Sequence, residues 1–156
     1  MAYQFSVFLH IVCASFWIGG MLFLPLVVLP GIKDHPDKVE ILYKTGMRFR
    51  TLGWITLILL LITGLGNAWL RGLPVSFSFF LEEGYGKWMG IKILFFAIML
   101  AISGVHDFFI GGKAIEGMRR GEGGRFRQVA RWSGRLNLLI SLILAFIGIM
   151  LSRGMY

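Results

Sequence analysis

A chain of 156 residues that is 56% hydrophobic, with a mean hydropathy of +0.74, is too apolar for an ordinary soluble domain. Its net charge of +8 comes from bases in short segments beside apolar runs, a pattern of membrane topology and anionic lipid; no nucleic-acid motif accompanies it. The one cysteine, Cys13, excludes an internal disulfide and leaves the redox compartment open.

Four stretches approach the about 20 apolar residues that cross about 30 Å of hydrocarbon. They are 4–30, 51–70, 88–112 and 136–152. The prediction is an all-α integral membrane protein, a four-helix up-down bundle forming one transmembrane domain over 1–156. The first stretch has no charge before Lys33 and lacks the basic flank and short core of a secretory signal, so it reads as a retained span. Within it His10, Cys13, Trp17 and Gly20 follow at steps of three, four and three, which puts them on one helix stripe. That stripe is expected to face protein, because an imidazole facing lipid has no hydrogen-bond partner. Pro25 is expected to bend or end the helix, and Pro30-Gly31 to break it.

Segment 31–50 mixes bases with Asp34, Asp37 and Glu40, and its apolar residues predict an amphipathic lead-in that brings Arg48 and Arg50 to the membrane edge. The second span carries Asn67 and Trp69 near its far end. The following loop is unusually apolar, with Phe77, Phe79, Phe80 and Leu81 placed to lie in the interface or cap the bundle. The third span holds Lys92 and His106, fourteen residues apart; they share a face about 21 Å apart along the axis. Segment 113–135 is rich in Gly and Arg and reads as a loop, expected to be mobile at Gly121 to Gly124. The fourth span adds Asn137 and Met150.

Twelve of the sixteen basic residues lie in 31–50 and 113–135. The positive-inside rule puts both segments in the cytoplasm, so both termini are expected outside, in the periplasm for an inner-membrane protein. Depth then groups the polar residues. His10, Lys92, Asn67 and Met150 share an outer layer; His106, Asp107, Asn137, Arg48, Arg50 and Arg135 share an inner one. The two histidines are not expected to hold one metal. Haem needs a flat apolar slot, an axial nitrogen or sulfur, and cations for its propionates. His10 with Trp17, Gly19, Gly20 and the aromatic loop offers the first two, and Lys92, Lys87 or Arg71 the third. Met150 is a soft candidate for the sixth iron position. The inner layer, His106 with Arg48 and Arg50, is read as a place for a second haem or an anionic substrate. No nucleophile with its base, phosphate loop or zinc motif occurs.

The run H-I-x-x-x-x-x-W-x-G-G-x-x-F-L-P from His10 to Pro25, the W-x-x-x-K from Trp88 to Lys92, and the downstream His106 and Gly112-Lys113 resemble HemJ, the membrane protoporphyrinogen oxidase family. R-F-R-T-L from Arg48, T-G-L from Thr63 to Leu65 and Y-G-K-W-M-G-I-K from Tyr85 to Lys92 resemble the CopD copper-resistance membrane domain. The likeness covers all four spans. Resemblance to HemJ implies haem b with His10 as an axial iron ligand and Lys92 at a catalytic position, electrons passing from a porphyrinogen to quinone or oxygen. Resemblance to CopD implies copper movement across the inner membrane. Copper(I) prefers two or three converging soft ligands, for which His10, Cys13 and Met150 are the candidates. The reading adopted from the sequence is a haem b protein of electron transfer or porphyrinogen oxidation. Its alternatives are copper transport and a structural subunit of a membrane complex, as a homodimer or a larger assembly.

Overall fold

The computed structural model describes residues 1–74, 76–81, 83–121 and 124–155. Four long helices run up and down: α1 (Ala2–Gly31), α2 (Lys38–Leu70), α4 (Tyr85–Arg119) and α5 (Arg125–Arg153). A short helix, α3 (Phe77–Leu81), joins the middle pair. The shortest of the long helices has 29 residues. At about 1.5 Å per residue even it exceeds the hydrocarbon thickness, so helix ends project on both sides. At most 33% of any span's apolar window is buried within the bundle. Phe5, Phe8, Ile58, Ile62, Leu94, Leu139 and Phe146 are all exposed. A water-soluble chain would bury such side chains, and here they face lipid.

Helix ends differ from the sequence expectation in two places and agree with it in one, the helical lead-in to the second span. Pro25 does not end α1. Its ring removes one backbone donor and crowds the preceding turn, and the backbone answers with a π-helical stretch over Leu24–Val28 before running on to Gly31. The amphipathic lead-in and the second span are one continuous helix from Lys38. Finally, most of 113–135 is helical: α4 makes a second π turn at His106–Ile110 and continues to Arg119, where Ala114 is buried against α5. That packing overrides the local glycines. Of the stretch expected to be mobile, Gly121 and Gly124 have positive φ, while Glu122 and Gly123 lie outside the described residues.

Helix α1 packs on α2, α4 packs on α5, and α1 also meets α5. The core draws on all four: Cys13 and Trp17, Leu57 and Leu60, Met99, and Ile140 and Leu144. Trp17 lies over Gly53 of α2, where a Cβ would stand 2.8 Å from its ring, and stacks on Phe49 with centroids 5.8 Å apart. Phe49 in turn fills the space at Gly20. At the end that carries the chain termini, α3 rests on the first two turns of α4. Phe79 abuts Gly86 and Phe80 abuts Gly90.

Candidate functional site: three polar layers in an apolar bundle

Near the termini, His10 reaches across from α1 to α2. Its Nδ1 is 2.7 Å from Thr63 Oγ1. The threonine has one hydrogen to give, and it donates to Leu59 O at 2.6 Å. The network therefore assigns the imidazole hydrogen to Nδ1, which donates to Thr63, and leaves Nε2 with its lone pair bare. Gly64 lets the ring lie close: a Cβ there would stand 3.5 Å from His10 Cε1. From α4, the Lys92 ammonium comes to 3.3 Å from a Cβ built at Gly148 on α5. It is half-buried, and no carboxylate among the described residues pairs with it. Asn67 lies one turn beyond Thr63, and its Oδ1 is buried with no hydrogen-bond partner among the described residues. Met150 is half-buried and stands about 120° around α5 from Leu144, off the face that buries Ile140, Leu144, Ile147 and Leu151.

At mid-depth a hydrogen-bonded chain crosses three helices. Trp17 Nε1 donates to Ser141 Oγ at 3.1 Å, Ser141 Oγ donates to Asn137 O at 2.7 Å, and Asn137 Nδ2 donates to Ser103 Oγ at 2.7 Å. Asn137 Oδ1 is buried without a partner among the described residues. Ser141 Oγ is also 3.2 Å from Met99 Sδ. The carbonyl is the nearer and stronger acceptor, so the sulfur keeps its lone pairs. Met99 is buried in the same cluster as Cys13.

The third layer lies at the end rich in arginine and lysine. His106 Nδ1 is 2.7 Å from Ser133 Oγ, which donates to Ala130 O at 3.0 Å, so this imidazole too has a bare Nε2. Its neighbour in the π turn, Asp107, faces the other way and accepts from Trp54 Nε1 at 2.9 Å. Arg50 donates to Asp107 O at 3.4 Å and lies over the Phe108 ring. Arg48 is exposed, with no ion pair or hydrogen bond among the described residues, and does not join His106.

The structure thus brings His10 and Lys92 into one layer, His106 and Arg50 into another, and Trp17 between them. Thr63, which entered the sequence reading only as part of the T-G-L motif, is the orienting partner, and residues that reading did not single out complete the picture: Ser103 and Ser141 as polar links, and Met99 as the buried sulfur. The available signal was small polar residues inside apolar spans, which mark helix contacts. Among the described residues no group of three or more His, Cys, Asp and Glu side chains is placed to hold a metal ion.

The family described as Copper resistance protein D matches residues 43–151. An uncharacterised protein of Aquifex aeolicus is 37% identical over 153 residues, which is 97% of this chain and 96% of that one. Copper resistance protein D of Pseudomonas syringae pv. tomato is 23% identical over 144 residues. That alignment takes in 90% of this chain but 46% of the Pseudomonas protein, so the chain spans about half of that relative's length. No solved structure matches the chain.

Proposed function

This chain belongs to the copper resistance protein D family, and from that premise we propose that it binds copper(I) inside the bundle and passes it across the membrane as cargo. The observation that carries this reading is the bare Nε2 of His10, held in place through Thr63. Cys13 stands one turn further along the same stripe, and Met99 shares its buried cluster. Imidazole, thiolate and thioether are the donors that copper(I) prefers, and a two- or three-coordinate ion can move between them by ligand exchange. In this reading Met99 supplies the sulfur for which Met150 was the sequence candidate. Lys92 opposes a second positive charge in the His10 layer and so controls uptake at that end. His106 is the second station, near the basic surface. The twelve-to-four division of basic residues supports an inner-membrane orientation with both termini outside.

Haem b, implied by the likeness to HemJ, draws no support from the glycine positions: among the described residues Phe49 fills the space at Gly20, Trp17 lies on Gly53, and Phe79 and Phe80 lie on Gly86 and Gly90, while only Gly19 of the expected slot faces open space. We therefore derive no redox step and assign no porphyrinogen chemistry to Lys92. The test is copper(I) loading of the purified protein under reducing conditions, with an absorption spectrum taken alongside. One bound copper(I) that is lost in both His10→Ala and Cys13→Ser supports the reading. A Soret band with no bound copper would replace it with the haem reading.

A further inference from the structure

The first turns of α5 form an amphiphile-shaped surface that the copper reading does not use. Arg127, Arg131 and Arg135 recur every fourth residue on one exposed face, so their guanidinium groups follow one another at about 6 Å along the axis. With Gln128 and Trp132 they line a concavity of about 490 Å³. Arg135 lies over the Trp132 ring, 5.3 Å from its centroid. No carboxylate among the described residues pairs with these three, whereas the neighbouring Arg119 and Arg120 are paired with Glu40 and Glu116. Across the Gln128 and Trp132 ridge lies a second concavity, of about 410 Å³, lined by Val129 and Leu136 together with Arg125 and Ser133. The basic groove therefore sits at the start of the apolar part of α5, with the groove that holds Val129 and Leu136 beside it.

We propose that this pair of grooves is a binding site for an anionic phospholipid, its phosphate held by the arginine ladder and its chain by Val129 and Leu136. Charge complementarity selects the headgroup. Arginine suits a phosphate because its planar fork donates two parallel hydrogen bonds, and an exposed tryptophan at this level is at home between headgroup and chain. Val129 and Leu136 in the second groove are what separate a lipid from a free phosphate ion, which would have no use for them. The site is independent of copper.

Lipid-depleted protein in a neutral detergent, titrated with dioleoyl phosphatidylglycerol, dioleoyl phosphatidylcholine or inorganic phosphate and read by native mass spectrometry, tests it. Phosphatidylglycerol should bind, and phosphatidylcholine and phosphate should not. Replacing the three ladder arginines with glutamine should weaken phosphatidylglycerol binding about a hundredfold, and Arg131→Gln alone about fivefold. Val129→Gln should weaken it with the charge unchanged. The triple change Lys33→Gln, Lys38→Gln and Lys44→Gln removes the same charge elsewhere and should leave binding intact. Equal losses in the two triple variants, binding of phosphatidylcholine to the same extent, competition by phosphate, or an unaffected ladder variant would each overturn the proposal.

Discussion

The Thr63 hydroxyl, 2.7 Å from His10 Nδ1, decides which nitrogen of that imidazole carries the hydrogen. A hydroxyl already committed to the carbonyl one turn back can only accept, so the histidine must donate through Nδ1. Outer partners of this kind set both tautomer and ring orientation in metal sites. Thr63→Val keeps the shape and removes the acceptor. Copper(I) affinity, measured by competition with a chelator, should fall about 10- to 100-fold, while Thr63→Ser should retain it. Undiminished affinity in Thr63→Val would show that His10 is not a ligand oriented from α2.

The mid-depth chain makes an energetic prediction. Ser141→Ala removes the acceptor of a buried indole N–H, and an unsatisfied buried donor costs about 1–3 kcal/mol. In a Trp17→Phe background the same change should cost less than about 1 kcal/mol, because no donor remains to be stranded. Reversible unfolding in mixed micelles measures both. Equal costs in the two backgrounds would mean that the hydrogen bond contributes nothing.

Gly53 and Gly112 provide a matched pair. A methyl group at Gly53 meets the Trp17 ring at 2.8 Å, whereas one at Gly112 meets nothing within 4 Å. Gly53→Ala should destabilise by about 1–3 kcal/mol as the ring is displaced. Gly112→Ala should stay within about 0.5 kcal/mol of the parent. A reversed order would mean that Trp17 is not seated on α2.

Orientation is checked with single cysteines. Ser78→Cys lies in α3 and Gln128→Cys at the basic end, both exposed, in a background lacking Cys13. A membrane-impermeant thiol reagent applied outside intact cells should modify the first and spare the second. The opposite pattern would invert the assigned topology.

The four spans were legible because length and apolarity suffice to specify a helix in lipid, where every backbone polar group must be satisfied within its own segment. The stripe of His10, Cys13 and Trp17 was legible for a related reason: helical spacing fixes which side chains share a face. Less legible was where helices stop. Gly111, Gly112 and Pro25 are breakers by local propensity, yet each lies inside a helix, because packing and a π turn absorb the penalty. Partners across the bundle were hidden too. Nothing near His10 in sequence points to Thr63, fifty-three residues away, and Met150 seemed level with His10 by depth alone, although rotation about α5 takes it off the buried face.

The π turn at His106–Ile110 acts as a vernier in α4. An i→i+5 turn shifts the phase of everything beyond it relative to an unbroken α-helix. Within this turn the consecutive residues His106 and Asp107 serve different neighbours, Ser133 on α5 and Trp54 on α2, and beyond it Arg119 pairs with Glu40. Deleting Phe108 would return the helix to α geometry with the segment that follows in nearly its present phase, because the wide turn absorbs one extra residue, so the Arg119–Glu40 pair should survive. The two ends of α4 are joined through a single residue of slack, so the loss of one residue at this point leaves the basic surface in place, whereas the same loss in the α-helical part would swing it by about 100°.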